Sequence, residues 1–83
     1  MIFLIFTAEG LAEAAAEIKA EKATLWLNPG LQENDKLSGF IAAGCDCCFL
    51  PEQVDAGNEK AVLNALSHVE KNSRDNEIYV EYL

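Results

Sequence analysis

"IFLIF", residues 2–6, decides the fold. Four of its five side chains are β-branched or aromatic, and no polar residue interrupts them. A strand with water on one face alternates polar and apolar residues, whereas a strand buried on both faces does not. The stretch therefore predicts a central strand of a mainly parallel sheet, covered by helices on both faces.

Working outward, Thr7 suits a helix N-cap, and the Ala- and Glu-rich run after it predicts a helix from Ala8 to Lys22. Leu11, Ala14, Ala15 and Ile18 recur at spacings of three and four and form its buried stripe. "ATLWLN", residues 23–28, reads as a second strand, and "NPG", residues 28–30, as a type II turn. A second helix is expected from Glu33 to Ala43, with Leu37, Phe40 and Ile41 on its apolar face and Gly44 as its positive-φ terminator. "CDCCFL", residues 45–50, is a third strand closed by Pro51.

A third helix opens between Asp55 and Asn58, carries Val62, Leu63, Leu66 and Val69 on one stripe, and ends near Lys71. "EIYVEYL", residues 77–83, alternates: Ile78, Val80 and Tyr82 share one face, and Glu77, Tyr79 and Glu81 the other. That pattern predicts a half-exposed edge strand. Residues 1–83 thus read as a single α/β domain of order β-α-β-α-β-α-β, with a mainly parallel four-stranded sheet in the order 2-1-3-4 and helices on both faces.

Composition narrows the function classes. Fourteen acidic and six basic residues give a formal charge of -8, and the basic residues form no run. Binding to nucleic acid needs Lys and Arg against phosphates, and anionic lipid makes the same demand. Neither partner is expected; a basic protein or a cation is the more natural one. The apolar start stops at Thr7, too short for a transmembrane helix, and lacks the charged flank of a signal peptide. Three cysteines within four residues do not make a secreted disulfide framework, so a reducing, cytoplasmic setting is expected.

Those cysteines, Cys45, Cys47 and Cys48, carry three readings, the remotest being a redox pair at the Cys-x-x-Cys spacing of Cys45 and Cys48, for which a strand offers no helix N-terminus to lower a thiol pKa. In a strand the pleat turns Cys45, Cys47 and Phe49 to one face and Asp46, Cys48 and Leu50 to the other. Free cysteine is among the most buried residue types, so a small-residue strand is the favoured reading, with no metal. The alternative is a metal held by Cys45 and Cys47, for which a structural zinc site would need further ligands; His68 is the only histidine.

In a 2-1-3-4 sheet the ligand crevice lies beyond the strand ends, between strands one and three. Thr7, Glu9, Glu52 and Asp55 are the candidate ligand-binding residues there, and the carboxylates among them have the oxygen chemistry for a divalent cation. In the competing reading Glu9 favours a helix start electrostatically and Asp55 caps the third helix. One glycine in "TAEGLAE" does not make a phosphate loop. No nucleophile has an evident histidine base, so no catalytic residue is assigned and catalysis is not expected.

The element order resembles that of receiver domains and phosphotransferase IIB domains. A receiver-like site wants an aspartate at the end of strand three, where Leu50 and Pro51 stand. A IIB-like site wants a cysteine after strand one, where Thr7, Ala8 and Glu9 stand.

The expected function is therefore that of a small soluble module acting through protein contacts without a cofactor, as a monomer or homodimer. Its contact surface would be the acidic first helix, with Glu9, Glu13 and Glu17, or the edge strand with Tyr79. The alternative is a small-ligand or metal-binding protein using the crevice or the cysteines.

Overall fold

The computed structural model describes residues 1–75 and 77–81. Its elements alternate as expected: β1 (Ile2–Ile5), α1 (Ala8–Glu21), β2 (Thr24–Leu27), a 3-10 turn (Pro29–Leu31), α2 (Lys36–Ala42), β3 (Asp46–Phe49), α3 (Glu59–Lys71) and β4 (Ile78–Val80). The described strands form one sheet in which every pairing is parallel.

The strand order is β3-β2-β1-β4. An interior β1, the β1–β2 pair and an edge position for β4 agree with the sequence reading. The place of β3 does not: the order 2-1-3-4 puts it between β1 and β4, whereas it lies at the far edge and pairs with β2. The helices explain this. α1 and α2 share one face, where Leu11, Ile18, Leu37 and Phe40 pack with Phe3, Ile5, Leu25 and Leu27. Two right-handed crossovers over one face step in one direction, so β3 lands beyond β2. α3 lies on the other face, where Val62, Ala65 and Val69 meet Ile2, Leu4 and Trp26. A right-handed crossover there runs the opposite way and returns the chain past β2 and β1 to place β4.

Side-chain burial fits that order. All of β1 is buried, as is Leu25 to Leu27 of β2, while β3 is exposed at Asp46 and half-buried beyond it. Cys45, Cys47 and Phe49 pack on the α1–α2 side and Cys48 and Leu50 on the α3 side, as the pleat requires.

Local signals behave unevenly. Thr7 caps α1, its Oγ1 accepting from the Gly10 N–H, and Lys22 ends that helix in the left-handed conformation. Gly44 terminates α2 at φ 94°. The expected type II turn at residues 28–30 is instead a 3-10 turn, in which the Leu31 and Gln32 amides donate back to Asn28 and Pro29. Gly30 has no positive φ there. The second helix is shorter than expected, because Asn34 and Asp35 precede its first turn. Ile41 and Leu63, read as stripe residues, are 61% and 55% exposed, and Ala65 takes the buried place in α3. Asn58, not Asp55, caps α3, its Oδ1 accepting from the Ala61 N–H. On β4, Ile78 and Val80 pack towards α3, and Tyr79 faces the other side. Tyr82, assigned to the face of Ile78 and Val80, lies outside the described residues.

Candidate functional site

The sheet reverses its direction of progress between β1 and β4, so the topological crevice is there, at the C-terminal ends of these two strands. It does not lie between β1 and β3, which are not neighbours. The crevice is filled from within the chain. Glu81, just past β4, accepts hydrogen bonds from the Phe6 N–H at 2.7 Å and the Thr7 N–H at 2.9 Å through Oε1. Its Oε2 accepts from the Thr7 hydroxyl at 2.5 Å.

This arrangement completes a helix cap by tertiary means. In a local capping box, a Glu or Gln at the third helical position reaches back to the N-cap amide. Here that position is Gly10, and Glu81 from β4 bonds the Thr7 amide instead. A Cβ on Gly10 would fall inside the Glu81 carboxylate, so the glycine makes the approach possible. The carboxylate also lies at the positive end of the α1 dipole.

The neighbouring strand end is tied by Asn28, whose side chain is buried. Its Nδ2 donates to the carbonyls of Phe6, at 3.0 Å, and Val54, at 2.7 Å, while its Oδ1 accepts from the Val54 N–H at 2.7 Å. The loop after β3 is thereby drawn against the ends of β2 and β1. Gln53 adds a bond, its Oε1 accepting from the Gly30 N–H.

The residues singled out from sequence are distributed as follows. Thr7 stands in the crevice, engaged with Glu81 and Gly10. Glu9 is exposed on the first turn of α1. Glu52 is exposed and borders a hollow of about 160 Å³ shared with Gln53, Asn64 and His68. Asp55 is exposed, its Oδ1 accepting from the Gly57 N–H. Among the described residues no three His, Cys, Asp or Glu side chains converge to hold a metal ion.

Cys45 is 5% exposed, and its thiol donates weakly to the Ile18 carbonyl at 3.6 Å. Cys47 and Cys48 are half-buried and unpaired. Burial raises the pKa of both thiols; the neighbouring Cys45, Cys48 and Asp46 add to the rise at Cys47, and Asp46 adds to it at Cys48. The folded chain therefore holds these protons more tightly than the unfolded chain. Stability from this source is complete below the ordinary thiol value of 9.0 and is lost as pH rises above it. Denaturant titrations should show a decline above pH 9 that is shallower in the Cys47→Ala/Cys48→Ala double variant. Equal slopes would show that burial leaves the two thiols unperturbed.

An open concavity continues from the crevice along the same edge, with Gly10 and Glu81 at one end. Helix α1 covers β1 and β2 and α2 covers β3, and no described helix covers β4 on that face. The result is a groove of about 350 Å³ between α1 and β4. Phe3, Ile5, Ala14 and Tyr79 give it an apolar floor, and Glu13 and Glu17 project from α1 along its side. Tyr79 is 44% exposed and stacks on Phe3, with ring centroids 5.2 Å apart and planes inclined by 26°. Sequence reading singled out Glu13, Glu17 and Tyr79 but not the groove they share; it missed Phe3 as a floor residue, and Glu81, Gly10 and Asn28 altogether.

The chain matches no protein-family model, no curated protein and no solved structure. No described helix is long and apolar enough to cross a membrane.

Proposed function

We propose that this protein is a non-catalytic interaction module that receives a basic protein segment on its α1–β4 face. The groove between α1 and β4 carries this reading: the Tyr79 ring, stacked on Phe3 and left uncovered by any described helix, beside two carboxylates of one helix, Glu13 and Glu17. Apolar area next to like charges favours a partner with apolar and cationic side chains over a neutral one. The charge of -8 steers such a partner and repels nucleic acid and anionic lipid. Three unpaired thiols fit a reducing, cytoplasmic setting.

The crevice supports a small-ligand reading less well, because Glu81 already takes the donors at the start of α1. The test is a titration of the labelled protein with a basic amphipathic peptide, followed by amide and aromatic NMR shifts. Perturbations should cluster on Phe3, Glu13, Glu17 and Tyr79 and vanish in a Tyr79→Ser variant that keeps its fold. Shifts concentrated on residues 51–58, or none at millimolar peptide, would overturn the proposal.

A further inference from the structure

The groove has a shape and charge spacing that narrow its occupant, and the following inference rests on the interaction reading just given. We infer that the occupant is a helix of a partner protein anchored by arginine, lying beside α1 in the place a third helix of that layer would take.

Three observations converge. First, the α1–α2 layer packs on β1, β2 and β3, and no described helix lies over β4 on that face, leaving a groove of about 350 Å³ walled on one side by α1. Second, Glu13 and Glu17 are one turn apart on the wall, so two cations four residues apart on a helix alongside α1 meet them in register. Third, Tyr79 buries one ring face against Phe3 and is otherwise 44% exposed. A planar guanidinium stacks on such a ring while its N–H fork reaches a carboxylate, which a lysine ammonium does less well. The apolar residues of the same helix would cover the half-buried Ala14 and the rest of the open Tyr79 ring.

Three 16-residue peptides test this against the intact protein by calorimetry and NMR. One is an amphipathic helix with arginines at i and i+4 flanked by leucines. The second replaces both arginines with lysine. The third keeps the composition of the first but carries a central proline that breaks the helix. The arginine helix should bind at the groove. The lysine peptide should bind about tenfold more weakly, roughly 1.4 kcal/mol, and the proline peptide weaker still. Glu13→Gln/Glu17→Gln should erase the preference for arginine and flatten the salt dependence.

Equal binding of lysine and arginine peptides at the groove would overturn the arginine anchor and leave the interaction reading standing. Equal binding of the proline peptide would overturn the helical occupant alone. Binding of all three away from Tyr79 would overturn both.

Discussion

Asn28→Ala is expected to destabilise the protein by about 3–5 kcal/mol, since three hydrogen bonds vanish and their backbone partners stay behind. The Phe6 and Val54 carbonyls lose their donor, and the Val54 amide loses its acceptor. A domain of this size has roughly 4–12 kcal/mol in total, so the variant sits near the edge of folding. A urea titration measures the loss, and hydrogen exchange at the Val54 amide locates it. Asn28→Asp keeps the size but turns both donor positions into acceptors facing carbonyls, with a charge in a buried place. It should be worse than alanine at neutral pH. A loss under 1 kcal/mol for Asn28→Ala would mean that the loop after β3 is held by packing of Leu50 and Val54 instead.

Glu81→Ala carries the second large effect, about 2–4 kcal/mol, through loss of the charge-assisted bonds to Phe6 and Thr7. Its more telling partner is Gly10→Ala. Alone, this substitution drives a methyl group into the Glu81 carboxylate and forces the latch open. In the Glu81→Ala background the obstacle is gone, and alanine is better than glycine in a helix by about 1 kcal/mol. The sign of the Gly10→Ala effect should therefore invert between the two backgrounds, a coupling well outside the scatter of additive mutations. Additive losses in the double-mutant cycle would show that glycine serves α1 for some reason other than room for Glu81.

The sheet was legible in part because its strands differ in how they tolerate water. The unbroken apolar run of β1 marked it as interior, and the alternation from Glu77 to Glu81 marked β4 as an edge. The same test, applied to all four strands, also separates β2 from β3. Leu25, Trp26 and Leu27 carry no charge and are buried, whereas β3 begins with the exposed Asp46. Three small cysteines obscured this, because cysteine is at home both in an interior and at a half-buried edge. The tertiary cap was not legible. Glu81 lies in a strand pattern in which its exposure is the natural expectation, and Thr7 finds its local cap partner in the Gly10 amide. Only the parallel register that sets Leu4 beside Val80 brings Glu81 to the end of β1. Gly10 was the available signal: a glycine at the position where a capping box would place Glu or Gln. Glu13, Glu17 and Tyr79 were chosen for charge and exposure, and the face of β4 that no described helix covers is what unites them.

The β1–β4 register also orders events in time. Ile2 pairs with Thr24, and Thr24 with Asp46, through short crossovers, whereas Ile2 meets Ile78 only after nearly the whole chain has closed a loop. Such a pairing costs the most chain entropy and tends to form late. The bonds of Glu81 then belong to the downhill side of the folding barrier, and removing them speeds unfolding while leaving the folding rate nearly unchanged. A partner lying across α1 and β4 straddles the first seam to open. Its occupancy would lengthen the lifetime of the folded chain, and the steady-state amount of this protein in a proteolytic environment would follow the supply of that partner.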